Sequence, residues 1–251
     1  MVRFFAEIHD ISAKSIRLSS KDSEHVRALR LRPDESFIVC DGKGVDYVCR
    51  LGERDDGTIA EIVDKQRSIG EPSVICKVYM AFSKGDRLDY AVQKSVELGA
   101  HEIVLFESER CVAMPRDIPK KIARLQRIAL ETAKQSNRGV IPGVTSGGRF
   151  GTMITEAAKC SELSLLFYEC ENNLHIKSVL EQHFPPLRKN ETYEIRSISI
   201  ITGPEGGFEP HEVGTAQSKD IKIVSLGPRI LRSETAPVVA LSAVMFHTGN
   251  L

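Results

Sequence analysis

Hydrophobic positions change their spacing near residue 70, and this change divides the chain into two predicted regions. Before it, apolar and polar residues alternate in short segments such as "SFIVCDGKGVDYVCRL" (36–51). Four residues of that segment share one face at period two: Val45, Tyr47, Cys49 and Leu51. A hairpin-type turn is predicted at "DDGT" (55–58) and a linker at "RSIGEPS" (67–73). The pattern predicts a small β-rich domain, a barrel or sandwich, over residues 1–70.

After the linker, apolar runs that do not alternate are separated by amphipathic segments. The predicted strands are 74–82, 102–107, 162–169, 198–203 and 221–227. The predicted helices are 86–99, which Gly99 ends, 117–136 and 233–247. Unbroken apolar runs suit strands that are covered on both faces. Residues 71–251 are therefore expected to form an α/β domain with a mainly parallel sheet.

Two glycine-bearing loops each follow a predicted strand and lead into a helix. The first is "TGPEGGFEPHEV" (202–213), where we expect Glu209 to be the N-cap and Glu212 to complete a capping box. The second is "SLGPRILRSETAP" (225–237), where Ser233 is expected to cap the last helix. Ligands bind at the carboxyl ends of parallel strands in open α/β sheets, so both loops are candidate ligand loops.

Several familiar ligand motifs are absent from these loops. No Lys follows Gly207, as a P-loop requires, and neither a G-x-G-x-x-G fingerprint nor a G-x-S-x-G elbow is present. A plain tight turn is the structural alternative for either loop. Because both loops lie in one half of the domain, with Arg229, Arg232 and Glu234 beside the second, we favour a small ligand held by backbone groups.

Charge and cysteine content add further limits. The chain carries 34 basic and 34 acidic residues, yet eight Lys or Arg face only two acids between Arg110 and Arg138. A locally basic region is compatible with an anion-binding face, or with an ordinary solvated helix surface. The six cysteines include no C-x-x-C pair, and the histidines show no H-x-x-x-H pairing, so no metal site is expected. Without a signal-peptide pattern, a cytoplasmic protein with no membrane association is expected.

The paired motifs "ITGPEGGF" and "LGPRILRSETA" resemble the signature of the RsmE family, uridine-N3 methyltransferases of small-subunit ribosomal RNA in the SPOUT superfamily. Further stretches of the family's pattern are "RFF" near the start, "HVRALRLRPDE" (25–35), "KSVELGA" (94–100) and "ETAKQSNRGVIP" (131–142). The resemblance therefore spans nearly the whole chain. It implies a SPOUT-type α/β fold with a C-terminal trefoil knot, a small N-terminal PUA-like β-barrel domain that binds RNA, and a homodimer.

The resemblance also implies S-adenosylmethionine as cofactor, bound by backbone groups of the two loops. The residues expected to bind it are Thr202, Gly203, Pro204, Glu205, Gly206, Leu226, Gly227, Ile230 and Leu231. Arg232 and Glu234 are the candidate catalytic residues, as anion stabiliser and as base or orienter, because uracil N3 must lose a proton before it attacks. A salt-bridged pair that holds the loop is the structural alternative for these two.

Ribosomal RNA is the expected partner, and cationic side chains are expected to meet its phosphates. The candidates are Arg27, Arg30, Arg110 and Arg138. Two other functions stay open at this point: a SPOUT methyltransferase that acts on another RNA, such as transfer RNA, and a non-catalytic RNA-binding protein.

Overall fold

The structure is a computed structural model that describes residues 2–6, 10–32, 34–52, 59–112, 114–185 and 197–251. It divides into two compact units. The N-terminal unit comprises the chain up to Glu71 together with Glu131–Ile141, and the C-terminal unit comprises Pro72–Leu130 and Pro142–Leu251. The sequence analysis predicted a single division of the chain at residue 70. The first unit of the structure also includes a later segment, Glu131–Ile141. The turn predicted at 55–58 lies outside the described residues.

The N-terminal unit is built on a five-stranded sheet curled into a half-barrel. Its strands are β1 (Arg3–Phe5), β2 (Ser15–Arg17), β3 (Phe37–Cys40), β4 (Val45–Leu51) and β5 (Ile59–Arg67). Their order is β1-β3-β4-β5-β2, and only the β1–β3 pair among them is parallel. One face of the sheet buries Phe4 and Phe37, whose rings meet edge to face at 5.8 Å.

This unit confirms the prediction of a β-rich region over residues 1–70, and it adds one helix that the sequence analysis did not predict. Helix α1 runs over Ser20–Leu29 between β2 and β3. The Ser19 hydroxyl accepts a hydrogen bond from the Asp22 amide at 3.1 Å and so caps the helix start. Arg30 ends it in the left-handed region at φ 52°. The segment presents few apolar positions, of which Val26 is buried, so its helical period is hard to recognise in the sequence.

The C-terminal unit confirms the mainly parallel sheet. Its strands are β6 (Ile75–Ala81), β7 (Glu102–Glu107), β8 (Gly143–Arg149), β9 (Leu163–Phe167), β10 (Ser197–Thr202) and β11 (Lys222–Val224). Their order is β11-β9-β10-β6-β7-β8, and each neighbouring pair is parallel. The neighbouring strands β11, β9, β10 and β6 therefore direct their carboxyl ends to one edge. Whether the chain passes through a knot stays a prediction of the family resemblance.

The helices of this unit follow the predicted ones closely where the sequence is strongly periodic. They are α2 (Arg87–Glu97), α3 (Ile118–Gln135), α4 (Phe150–Cys160), α5 (Ile176–His183), α6 (Pro210–Gln217) and α7 (Thr235–His247). The last residues of α3, from Glu131 on, belong to the N-terminal unit. Gly99 follows α2 at φ 96°, as expected for a glycine that ends a helix. The N-cap of α7 is Glu234, so the expectation that Ser233 caps this helix is wrong. No helix in the described part of the chain is long and apolar enough to cross a membrane.

Candidate active site

Three neighbouring strands deliver three loops to one cavity of about 450 Å³ in the C-terminal unit. The first loop follows β9, the second is the glycine loop after β10, and the third follows β11. The three loops contribute most of the lining: Tyr168, Glu169, Asn172, Thr202, Gly203, Pro204, Glu205, Gly207, Ser225, Leu226, Gly227, Pro228, Arg229, Ile230, Leu231, Arg232, Ser233 and Glu234. A cavity at the carboxyl edge of a parallel sheet is the usual place for a ligand in this class of fold.

The glycine loop after β10 is anchored by Phe208, which is 1% exposed. The Phe208 ring stacks on Phe106, with centroids 6.4 Å apart, and a Cβ on Gly203 would approach it at 3.1 Å. Gly207 adopts φ 70°, a conformation that other residues rarely take, and its open side is filled by the Glu169 carboxylate. These glycines therefore let the loop pack closely on other protein groups.

The loop is also fastened from the end of β7. Arg110 donates to the Glu209 carboxylate at 2.5 Å and to the Gly206 carbonyl oxygen at 3.0 Å. This hydrogen bond from Arg110 lowers the pKa of Glu209 below its ordinary value. The buried Glu212 carboxylate accepts from the Ser108 hydroxyl at 3.0 Å and from the Glu209 amide at 3.0 Å. The capping box predicted for α6 is thus present, and Ser108 tightens it.

Arg87, the first residue of α2, joins the two glycine-bearing loops across the cavity. Its guanidinium forms a hydrogen bond with Glu205 of the first loop and lies 3.6 Å from Glu234 of the second. Glu205 also accepts from the Lys84 amide at 3.0 Å. Burial raises the pKa of Glu205, but the hydrogen bonds from Lys84 and Arg87 outweigh burial and lower the pKa below its ordinary value. One arginine thereby holds a carboxylate from each loop.

Arg232 and Glu234, the predicted catalytic residues, have different surroundings. Glu234 accepts from the Ser233 hydroxyl at 3.2 Å and faces Arg87, so it belongs to the pairing between the loops. The Arg232 side chain is exposed and lines the cavity, and within the described residues it forms no side-chain hydrogen bond or salt bridge. The salt bridge between Arg232 and Glu234 that the sequence offered as the structural alternative is not formed among the described residues, because Glu234 lies beside Arg87 instead. The Arg232 guanidinium is left without an ion-pair partner there.

The predicted cofactor residues line the cavity with the exception of Gly206. A Cβ on Gly206 would approach Arg110 Cβ at 2.9 Å, so this glycine makes room for a protein side chain. The sequence reasoning missed Arg87 and the loop after β9, including Glu169. The signal for the loop was available, because "YECEN" (168–172) follows a predicted apolar strand toward the same edge of the sheet.

The four arginines predicted to bind RNA also differ in their surroundings. Arg27 and Arg30 are exposed at the end of α1, and Arg110 is partly exposed while it fastens the glycine loop. Arg138 requires a correction, because its side chain is 2% exposed and donates to Glu71 through Nε and Nη2, both at 2.9 Å. Glu71 also accepts from the Gly139 and Val140 amides. Arg138 is thus a buried structural residue and does not present a charge to RNA.

Gly227 gives the cavity its clearest sign of room for a ligand. It adopts φ 108°, and a Cβ built on it would meet no atom within 4 Å. The surrounding loops offer backbone groups, cations at Arg229 and Arg232 and carboxylates at Glu169 and Glu205. This set of groups suits a polar ligand of nucleoside size that carries both a cationic and an anionic group. No group of three or more His, Cys, Asp or Glu in the described residues is placed to hold a metal ion.

Comparison with known proteins defines the class to which this fold and site belong. Residues 71–245 match the family described as the RNA methyltransferase domain. Over its full length the chain is 30% identical to the ribosomal RNA small subunit methyltransferase E of Bacillus subtilis (strain 168), with 98% of that relative covered. The chain belongs to the ribosomal RNA small subunit methyltransferase E family.

Two further comparisons agree. The corresponding methyltransferase of Synechocystis sp. is 33% identical over 220 residues, which cover 87% of this chain and 68% of the relative. A crystal structure of the Neisseria gonorrhoeae enzyme, described as bound to S-adenosyl methionine, has a TM-score of 0.78 at 30% identity. The structural match covers 98% of this chain and 97% of the Neisseria gonorrhoeae chain. The similarity thus extends over both units of the chain.

Proposed function

We propose that the chain transfers a methyl group from S-adenosylmethionine to N3 of a uridine in small-subunit ribosomal RNA. The observation that carries the proposal is the cavity formed by the three loops after β9, β10 and β11, with Arg232 on its wall and without a side-chain partner among the described residues. Family membership supports the reaction class, and the Neisseria gonorrhoeae structure supports the donor.

The residues of the cavity fit this donor. When bound, S-adenosylmethionine supplies a methyl group on a positively charged sulfur, ready for in-line displacement. The backbone of Thr202–Glu205 and of Leu226–Leu231 would hold it, with space beside Gly227. The Glu169 and Glu205 carboxylates provide negative charge near a cationic ligand. Arg87 keeps the two loops at a fixed separation, which favours alignment of the reacting groups.

Proton removal from uracil N3 is the step that needs side-chain chemistry. As the N3–H bond breaks, the proton passes to solvent, the electron pair stays on N3, and negative charge spreads over the ring and its two carbonyl oxygens. Arg232, like Arg229, lines the cavity without a side-chain partner among the described residues, and we assign Arg232, three residues closer to α7, to stabilising that charge. Glu234 is held by Arg87 and Ser233, so we assign it to orienting the loop that carries Arg232. The N3 lone pair then attacks the methyl carbon, and the sulfur leaves with the electron pair of the broken bond.

Ribosomal RNA as substrate fits the distribution of exposed cations. Arg27 and Arg30 lie at the exposed end of α1, and α3 carries further exposed Lys and Arg residues on its outer face. Such cations give salt-dependent affinity for phosphates and no choice of sequence. Because ribosomal RNA is the proposed substrate, the cytoplasm is the proposed place of action.

We also infer a homodimer, from the outer face of α7. Apolar residues occupy every side of this helix, and such helices are normally buried all round. Its inner face packs Leu241 and Met245 in the core, whereas Val239 is 37% exposed and Phe246, seven residues later, 76% exposed. A second copy would cover this face.

Sedimentation should show a dimer for the wild type and a monomer for Val239→Glu, and a monomeric wild type would refute the inference.

Calorimetric titration with S-adenosylmethionine, followed by mass mapping of ribosomal RNA from a strain that lacks the gene, tests the function. The proposal expects one donor per chain and one missing methyl group on a small-subunit uridine, restored by the purified protein. A methyl group missing from transfer RNA would support the alternative substrate. Absence of donor binding would leave the non-catalytic RNA-binding protein as the function.

A further inference from the structure

A second cavity, of about 500 Å³, lies entirely within the N-terminal unit. We call it the α1–α3 cleft, because most of its lining comes from helix α1 and from the last turn of α3 and the residues after it. Its lining residues are Val2, Arg3, Lys21, Asp22, His25, Glu131, Lys134, Gln135 and Asn137. None of them belongs to the candidate active site.

The charges that line this cleft compensate each other. Lys134 lies 3.4 Å from Asp22, and Lys21 lies 3.6 Å from Glu131. Arg3 is neutralised by Asp46, which accepts from both of its terminal nitrogens at 2.5 and 2.8 Å. The cleft is therefore polar but close to neutral. A neutral polar surface of this kind does not attract a polyanion by charge alone, so it favours a ligand recognised by hydrogen bonds and stacking.

Three polar groups of the cleft are without hydrogen-bond partners in the described residues. The amides of Gln135 and Asn137 are exposed to solvent and form no side-chain hydrogen bond with the described residues, so they can exchange water for a ligand. The third group is Arg3 Nε, a buried donor on a residue that is 8% exposed. A buried donor without a partner is unfavourable, so a ligand or water that accepts from it would stabilise the unit.

The exposed side chain of His25 places an aromatic ring on the wall of the same cleft. Its ring meets Phe4 edge to face, with centroids 5.6 Å apart, and Phe4 is fully buried. The imidazole is thereby held in place at the wall of the cleft. An aromatic ring beside free side-chain amides is a combination that recognises an unstacked nucleobase, with the ring on its face and the amides on its edge.

We propose that the α1–α3 cleft binds one unpaired nucleotide of the RNA substrate. The base stacks on His25 and forms hydrogen bonds with the Gln135 and Asn137 amides, while Lys21 and Lys134 stay paired with Glu131 and Asp22 at the wall of the cleft. This proposal rests on RNA as the substrate but not on the methyl-transfer chemistry. It gives the N-terminal unit a preference among bases, which phosphate contacts alone do not supply.

The test is fluorescence anisotropy with short single-stranded RNAs of each of the four bases, using the full-length protein. We expect His25→Ala to weaken binding about tenfold, the size of one lost stacking contact. Asn137→Asp keeps a residue that tolerates the left-handed backbone at φ 58° but exchanges amide donors for acceptors, so it should change the preferred base. Lys14→Ala, an exposed cation of the same unit outside the cleft, is the control and should keep the base preference.

Each outcome decides the proposal. Unchanged affinity for His25→Ala, or an unchanged base order for Asn137→Asp, would overturn it. A free nucleoside monophosphate that binds as tightly as the RNAs would also overturn it, in favour of a small-molecule site. Calorimetry with S-adenosylmethionine on the same variants should match the wild type. A wild-type protein that does not bind S-adenosylmethionine would count against the proposed function. The proposal that the α1–α3 cleft binds a nucleotide would not be affected.

Discussion

Two arginines that look alike in the sequence have opposite surroundings in the structure. Arg232 is exposed on the wall of the active-site cavity and has no side-chain partner among the described residues. Arg138 is buried and bonded to Glu71, which also accepts two backbone amides. A guanidinium can stabilise a new negative charge only if it is not already paired, so the first is suited to catalysis and the second to holding the chain.

Replacing Arg232 by Ala should leave donor binding intact and reduce methyl transfer about 100- to 1000-fold, because the uracil anion loses its stabilising charge. Calorimetry with S-adenosylmethionine and a single-turnover methylation assay measure the two effects separately. Arg149→Ala removes an exposed arginine outside the cavity and serves as the control. If Arg232→Ala abolished donor binding, the residue would belong to the cofactor site and its proposed role would be wrong.

Replacing Arg138 by Ala should destabilise the N-terminal unit by about 3–5 kcal/mol, because Glu71 keeps its charge without its ion-pair partner. Hydrogen exchange of the β3 and β4 amides measures this loss. The slope of RNA affinity against salt should not change, since no exposed cation is removed. Arg17→Ala, an exposed arginine of the same unit, is the comparison. A smaller salt slope for Arg138→Ala would restore its assignment to RNA.

At the scale of elements, the site depends on loops that are fixed by groups outside them. Phe208 anchors the glycine loop in the core, Arg110 fastens it from β7, and Arg87 joins it to the loop after β11. The sheet brings these loops together because β11, β9 and β10 are neighbours although they are not consecutive in that order along the chain. The donor pocket is therefore a product of strand order and of a few long side chains.

A double-mutant cycle tests the connection that Arg87 makes. Arg87→Ala and Glu205→Gln should each weaken S-adenosylmethionine binding, and the double variant should be weakened by less than their sum. We expect a coupling of about 1 kcal/mol, as is usual for residues in direct contact. Lys94→Ala with Glu97→Gln, an ion pair on the same helix outside the cavity, should show no effect on donor binding. Additive effects for Arg87 and Glu205 would mean that the contact does not position the loops.

At the scale of the whole molecule, the sequence predicts elements with a regular hydrophobic spacing well. It predicts exposed edge strands and long-range side-chain contacts poorly. The apolar runs of β6, β7, β9 and β10 and the stripe of α2 are readable because burial imposes a regular spacing. Strand β8 was missed because "GVTSGGR" is an edge strand with three glycines and mostly exposed residues. The bonds of Arg138 to Glu71, 67 residues apart, and of Arg87 to Glu205 were not predictable, because no local pattern specifies a partner at that distance.

The N-terminal unit should lose stability in acid. Burial raises the pKa of Asp46, but hydrogen bonds from Arg3 and Ser68 outweigh burial and lower the pKa below its model-compound value of 3.8. A lowered pKa contributes stability above the unfolded-state value, and this contribution is lost as the pH falls through the folded-state value. Unfolding measured between about pH 5 and pH 2 should show this loss, and Asp46→Asn should remove that share of the pH dependence. Asp64→Asn, an exposed control, should keep it. An unchanged profile for Asp46→Asn would contradict the assignment.

The most direct test of the central claim is mass mapping of small-subunit ribosomal RNA from a strain that lacks this gene, before and after incubation with the protein and S-adenosylmethionine. The account predicts that one uridine gains a methyl group at N3 with the wild-type protein and gains it about 100- to 1000-fold more slowly with Arg232→Ala. A methyl group on another base, on another atom of uridine or only on transfer RNA would contradict it.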